Sequence, residues 1–103
     1  MLIDFAATEA GYINGLGGAS NATSKEQQHY ILFGKQDGDV YFEYDNQIHG
    51  RVGQVIQIAI HSDRIDFKLT DSNAITVRRN MDQIAWNEFI AGIQQTFRPS
   101  ILI

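Results

Sequence analysis

Residues 39–45 read Asp-Val-Tyr-Phe-Glu-Tyr-Asp, and this stretch decides the fold class. Val40, Phe42 and Tyr44 alternate with polar or charged neighbours, so the segment has one apolar face and one polar face. A period of two is that of a β-strand that packs one face on a core and exposes the other to solvent. Turn-forming Asp, Asn and Gly residues flank the segment and indicate short connections to neighbouring strands.

The same alternation recurs on both sides of this strand. A short apolar run at 30–33 precedes it, and the segments 56–60, 65–69 and 75–77 follow it, separated by short turns. Such a pattern over residues 29–79 predicts an antiparallel β-meander sheet of about five to six strands. In the first of the later segments, three isoleucines are expected to share one face: Ile56, Ile58 and Ile60.

The period changes to that of a helix over residues 80–98. Apolar residues there fall within one arc at 3.6 residues per turn: Ala85, Trp86, Phe89, Ile93 and Phe97. Asn80 with Gln83 resembles a capping box, and Pro99 ends the helix near Arg98. An amphipathic helix that follows a one-sided sheet is expected to cover the apolar face of that sheet, so the fold class predicted is α+β.

The two ends of the chain fall outside this sheet and helix. Residues 1–28 begin with a strand-like stretch and continue as a glycine-rich segment, which we expect to be a mobile surface loop. Residues 99–103 form an apolar tail that ends in Ile101-Leu102-Ile103. This tail is expected to dock on a sheet edge or on a partner, because three exposed apolar residues would be adhesive.

Composition excludes several classes of function. A chain of 103 residues is expected to form a single domain. Its 12 acidic and 8 basic residues give a net charge of −4, which disfavours binding to nucleic acid or to an anionic membrane. The absence of cysteine excludes disulfides, thiolate metal sites and cysteine nucleophiles. No apolar run could span a bilayer and the first residues do not read as a signal peptide, so a cytoplasmic location is expected.

The titratable residues form no catalytic set in the sequence. The three histidines, at 29, 49 and 61, occur in no paired metal motif, so no metal and no cofactor are expected. His61 with Asp63 could act as a base and its orienting carboxylate in a small hydrolase. The two residues bracket a tight turn, however, and turn chemistry already explains that composition.

Four acids within nine residues are the strongest charge signal. The two interpretations are an ordinary solvated face with acidic turns and a docking surface for a basic partner, in which acids raise the association rate and a tyrosine serves as an anchor. The residues of the predicted docking surface are Asp37, Asp39, Tyr41, Glu43 and Asp45. The bases Lys68 and Arg78 share polar strand faces with Asp66, so opposite-charge pairing is expected there in preference to a phosphate site.

Residues 29–98 resemble the immunity protein 10 family of bacterial polymorphic toxin systems. The run Asp-Val-Tyr-Phe-Glu-Tyr-Asp-Asn-Gln at 39–47 carries the resemblance, together with the order of strands before the final helix. The family's E-x-x-x-Q-like core is matched by Glu43 and Gln47. The glycine-rich segment and the apolar tail lie outside the resemblance.

This resemblance implies a non-enzymatic antitoxin that neutralises a cognate toxin domain by direct binding. Nuclease toxins present basic clefts, to which a patch of carboxylates would be complementary. The alternative from the residues alone is a homo-oligomeric adaptor or structural module, which would associate through the apolar tail or an open sheet edge.

Overall fold

Two β-sheets and one helix form the part of the protein that the computed structural model describes, which is residues 2–22, 27–45, 47–49, 55–70 and 72–103. The strands within these residues are β1 (Leu2–Ala7), β2 (Glu9–Ile13), β3 (Leu16–Ser20), β4 (Tyr30–Gln36), β5 (Asp39–Tyr44), β6 (Gln47–His49), β7 (Val55–Ile60), β8 (Arg64–Leu69) and β9 (Ala74–Arg79). Helix α1 (Gln83–Thr96) and a 3-10 turn (Pro99–Ile101) follow them.

The strands divide between a four-stranded and a five-stranded sheet. The four-stranded sheet has the order β1-β9-β8-β7, with β1 parallel to β9 and the other pairs antiparallel. The five-stranded sheet, β2-β3-β4-β5-β6, is antiparallel throughout. The chain passes from the first sheet to the second at Thr8, between β1 and β2. Because β1 is the first strand and β9 the last, their parallel pairing brings together two segments between which all the other strands lie in the sequence.

Aromatic rings join the two sheets and the helix into one core. Phe42 of the five-stranded sheet lies 5.7 Å, between ring centroids, from Phe67 of the four-stranded sheet. Phe33 lies 5.9 Å from Phe89 of the helix, which in turn lies 5.4 Å from Trp86. All five rings are fully buried, so each sheet contributes one face to a common interior.

The predicted α+β class with a C-terminal helix on a sheet is confirmed. The strand that decided the fold class is β5, and its alternating residues Val40, Phe42 and Tyr44 are buried as predicted. The structure differs in the number of strands and in their division between two sheets. The additional strands include β2 and β3, which lie where a loop was predicted, and β1, which corresponds to the strand-like stretch predicted at the start of the chain.

Residues 9–20 form the β2–β3 hairpin, so the prediction of a mobile glycine-rich loop is wrong there. Gly17 lies under the ring of Phe33, and a Cβ at this position would fall 2.3 Å from the Phe33 Cζ atom. Strand β3 can therefore pass under the aromatic core only because it carries small residues. The glycines that predicted a loop are instead part of the packing.

The helix begins two residues later than the predicted capping box. Asp82 is the N-cap, and its Oδ1 accepts a hydrogen bond from the Ala85 N–H at 2.9 Å. The predicted cap, Asn80, instead donates its backbone N–H to the Ala7 carbonyl at 3.0 Å, which fixes it to β1. The predicted apolar arc is largely confirmed, since Trp86, Phe89, Ile93 and Phe97 are buried.

A β-bulge changes the predicted facing of one isoleucine. The register of β7 against β8 shifts between Val55 and Gln57, so the intervening Ile56 leaves the core and is 45% exposed. Ile58, beyond the bulge, is fully buried. The prediction that Ile56 shares a face with Ile58 is therefore wrong, because an extra residue inverts the alternation at that point.

The C-terminal tail docks on the open edge of the four-stranded sheet, as predicted. Leu102 forms a parallel bridge with Ile58 of β7. The Ile103 N–H donates to the Ile58 carbonyl at 2.9 Å, and the Ile60 N–H donates to the Ile103 carbonyl at 3.1 Å. The tail thus covers part of a strand edge that would otherwise offer unpaired backbone groups.

Gly92 provides a test of the contact between helix and sheet. A Cβ on this buried residue would lie 2.3 Å from Cδ1 and 2.7 Å from Cβ of Tyr12, where the ring cannot easily move away. Although alanine favours a helix by about 1 kcal/mol, we expect Gly92→Ala to lower the free energy of unfolding by about 1–3 kcal/mol through overpacking. Urea denaturation measures this. Gly11→Ala is the control, since no described atom lies within 4 Å of its added Cβ, and a Gly92→Ala variant as stable as wild type would contradict the packing described.

Candidate functional site

The five-stranded sheet turns one face to the core and the other to solvent, and the solvent side is named here the outer face. Strand alternation places these described residues on it: Glu9, Gly11, Ile13, Leu16, Gly18, Ser20, Tyr30, Leu32, Gly34, Asp39, Tyr41 and Glu43. Ile13 and Leu16 are 72% and 56% exposed, which is unusual for large apolar side chains that face each other across a hairpin.

A hollow of about 450 Å³ lies over the β2–β3 hairpin on this face. Gly11 pairs with Gly18 across the hairpin, and Gly18 pairs with Leu32 of β4. The two facing glycines leave a floor of bare backbone, and we name this hollow the glycine trough. None of the residues of α1, which covers the opposite side of the hairpin, lines it. A second hollow of about 340 Å³ adjoins it over Gly34 and is lined by Leu16, Lys35 and Tyr41 as well.

The carboxylate of Glu43 is held between two tyrosines on the same face. The Tyr30 hydroxyl donates to Oε2 and the Tyr41 hydroxyl donates to Oε1. These hydrogen bonds lower the pKa of Glu43 below its ordinary value of 4.5, and the hydrogen bond from Tyr30 is the larger cause. The same contact with Glu43 raises the pKa of Tyr41 above 10.0, helped by desolvation and by the negative charge of Glu43. Glu43 is therefore an oriented anion at neutral pH.

Two of the predicted docking residues lie at the rim of the outer face. Asp37 and Gly38 form a two-residue hairpin turn with φ values of 51° and 85°, which is the geometry of a type I′ turn. Asp39 begins β5 on the outer side and is exposed. Asp39, Tyr41 and Glu43 therefore share one face of β5, while Asp37 lies at the tip of the turn. The shared face of Tyr41 and Glu43 and the rim position of Asp37 and Asp39 agree with the prediction.

Asp45 has a structural role instead. Its Oδ2 lies 2.5 Å from Nδ1 of His29, and its Oδ1 accepts the Tyr30 N–H at 2.9 Å. With a φ of 44°, Asp45 also ends the extended backbone of β5. The predicted alignment of Asp45 with Glu43 is therefore wrong, because the strand stops at Tyr44 and both Asp45 oxygens bind groups of the same chain.

The predicted pair of His61 and Asp63 is not formed. His61 Nε2 lies 3.2 Å from Oδ2 of Asp66, whereas Asp63 contacts Arg64 at 3.6 Å. Asp66 also accepts the Thr76 hydroxyl at 2.8 Å, so it ties neighbouring strands of the four-stranded sheet together. This arrangement is an exposed polar network across strands, without the buried orienting carboxylate that a general base needs.

Two arginines of the four-stranded sheet are paired with acids, but among the ion pairs of the described residues neither Lys68 nor Arg78 is paired with Asp66, the partner that was expected. Arg78 Nη1 lies 2.6 Å from Oδ1 of Asp4 on the parallel strand β1, while Arg64 Nε lies 3.4 Å from Oδ2 of Asp66. Within the part of the chain that the structure describes, no group of three or more His, Asp or Glu side chains could hold a metal ion. No described helix is long and apolar enough to cross a membrane.

The sequence did not predict Tyr30 or the glycine trough as parts of the site. Tyr30 is 13 residues from Glu43 and reaches it only through the pairing of β4 with β5. The trough falls in the segment predicted to be a loop. The available signal was the alternation of Glu9, Gly11 and Ile13 with Ala10 and Tyr12, which the glycine content obscured.

Comparison of the chain with family models, with curated proteins and with solved structures finds no match.

Removal of the Tyr30 hydroxyl should raise the pKa of Glu43. Tyr30→Phe is expected to move this pKa toward 4.5 by more than Tyr41→Phe does, because the Tyr30 hydrogen bond is the larger cause of its depression. Carboxyl-detected NMR titration measures both shifts, and Tyr12→Phe on the opposite face is the control. An unchanged pKa in Tyr30→Phe would show that the hydroxyl does not hold the carboxylate.

The pKa of Glu43 is lower in the folded than in the unfolded chain, so the ionised Glu43 side chain stabilises the folded state. This stabilisation is present above about pH 4.5 and is lost as the pH falls through the pKa of Glu43 in the folded chain. Acid should therefore destabilise the wild type more than it destabilises Glu43→Gln. Equal acid sensitivity of the two proteins in urea denaturation would contradict this linkage.

Proposed function

We propose that this protein is an immunity protein that neutralises a cognate bacterial toxin domain by direct binding through the outer face. The observation that carries the proposal is the combination of exposed apolar side chains with a carboxylate fixed between two tyrosines. Tyrosines and apolar residues held in a defined geometry are the usual anchors of protein interfaces.

The charge of the outer face supports a basic partner. Its described strand positions hold three carboxylates, at Glu9, Asp39 and Glu43, and no lysine or arginine. Lys35 lines the second hollow, although its strand position pairs with Val40 on the opposite face. The Asp37 side chain adds a further acid at the rim. Such a surface attracts a basic protein over a distance and repels an acidic one, which favours selective and fast association.

The hydrogen-bonded state of Glu43 supports binding more than catalysis. Both of its oxygens accept tyrosine hydroxyls, and its pKa is lowered, so it is a poor general acid and a weak base. A fixed carboxylate is instead suited to receive a cationic side chain, because little side-chain entropy remains to be lost on binding.

The alternative of a homo-oligomeric adaptor has less support. The tail that was expected to mediate self-association is paired with β7 of its own chain through two backbone hydrogen bonds. Self-association through the outer face would also bring its like charges together, which disfavours it relative to a basic partner.

Co-expression tests the proposal directly. The C-terminal domain encoded immediately upstream, which the proposal identifies as the toxin domain, is expressed in bacteria with and without this protein, and growth and co-purification are measured. We expect restored growth and a one-to-one complex. A folded protein that neither restores growth nor co-purifies with the toxin domain would refute the immunity function.

Charge reversal at the rim should act on association kinetics. Asp39→Lys is expected to slow association severalfold at low ionic strength and to reduce its dependence on salt, with little change in dissociation. Glu88→Lys, on the exposed side of α1, makes the same charge change away from the outer face and serves as the control. Biolayer interferometry at two salt concentrations measures both, and equal effects of the two variants would place the interface elsewhere.

A further inference from the structure

We infer that the glycine trough is the subsite that receives one apolar side chain of the toxin, presented from a surface that carries Lys or Arg around it. This inference rests on the proposed function and names the part of the partner that the outer face recognises. It rests on the geometry of the β2–β3 hairpin, which is a part of the outer face separate from the acidic strand β5.

Gly11 is the residue whose presence packing does not explain. A Cβ at Gly18 would lie 2.7 Å from the Ile31 carbonyl oxygen, so its neighbours require Gly18. A Cβ at Gly34 would lie 3.1 Å from the Gly15 carbonyl oxygen and 2.7 Å from Cδ2 of the exposed Leu16 side chain, so neighbours also restrict Gly34. A Cβ at Gly11 meets no described atom within 4 Å, and its φ lies outside the left-handed region.

Glycine at this strand position therefore reduces stability without a compensating contact. A glycine within a strand costs roughly 0.5–1 kcal/mol relative to alanine, because it loses more backbone entropy on folding. Close approach of another molecule to the backbone is a recognised reason for a glycine in a strand. At Gly11 no described part of this chain makes that approach, so the open side of the trough is available to a partner.

The walls of the trough specify the chemistry of its occupant. Ile13 and Leu16 form one wall, and Leu32 closes the end beside Gly18. Glu9 and Ser20 form the opposite wall, so an apolar hollow is bordered by a carboxylate. An aliphatic or aromatic side chain would pack against the apolar wall, and a neighbouring cation of the partner would face Glu9.

The shape of the trough favours a single side chain over a larger ligand. A volume of about 450 Å³ open to solvent is within the lower range of small-ligand sites, but its walls are low and its polar groups few. A protruding side chain from a flat protein interface fits such a hollow, as anchors in protein complexes do.

A steric block of the trough tests the inference. Gly11→Leu places a side chain in the hollow from its floor, and we expect this obstruction to weaken binding of the upstream-encoded toxin domain by roughly tenfold or more. Ser62→Leu adds the same side chain at an exposed turn of the four-stranded sheet and should leave affinity unchanged. Affinities are measured by isothermal titration calorimetry, after urea denaturation has shown that each variant is folded.

A second variant keeps the test decisive if Gly11→Leu does not fold. Ile13 is 72% exposed, so Ile13→Ser removes a wall of the trough without touching the core. It should also weaken binding, while Ile84→Ser, at an isoleucine that is 74% exposed on α1, should not. A loss of affinity in either Gly11→Leu or Ile13→Ser is enough to support the subsite, provided that both control variants bind as tightly as the wild type.

The failure of this inference is distinguishable from that of the proposed function. If the wild type binds the toxin domain and the two trough variants bind as tightly, the immunity function stands and the subsite is wrong. If the folded wild type does not bind the toxin domain at all, the function and the subsite are refuted together.

Discussion

The close approach of α1 to the five-stranded sheet, around the ring of Phe33, is the constraint on which the rest of the structure depends. Phe33 lies 5.4 Å from Phe97 and 5.9 Å from Phe89, between ring centroids, and it also stacks on Tyr12. Rings at these distances leave no room for side chains beneath them, and the strand under them must carry small residues.

The parts of the fold that could be predicted are those in which local pattern and tertiary environment agree. Val40, Phe42 and Tyr44 alternate in sequence and are buried in the structure, and the apolar arc of α1 packs as its spacing indicates. The β2–β3 hairpin could not be predicted in the same way, because Gly17 and Gly18 read as turn residues when Phe33 is not considered. The parallel β1–β9 pair joins residues about 70 positions apart, and no local pattern carries that information.

The residues of the candidate site also differ in whether the local sequence pattern could predict their positions. Tyr41 and Glu43 are two residues apart on one strand, so strand geometry alone places them on one face. Asp45 continues the same spacing, yet the left-handed backbone at this residue turns it away to bind His29. Tyr30 belongs to the site through the register of β4 against β5, and register follows from which faces are buried along the whole sheet.

The acids of the outer face fall into two physical classes, and this division bears on how an interface here would work. Asp37 and Asp39 are exposed at a hairpin tip, where a charge acts at long range, is screened by salt and influences association more than dissociation. Glu43 is fixed by two hydroxyls, and its charge acts at short range and would be costly to leave unpaired once a partner excludes water. The rim would therefore set the rate of encounter with a basic partner, whereas Glu43 and the glycine trough would set the lifetime of the complex.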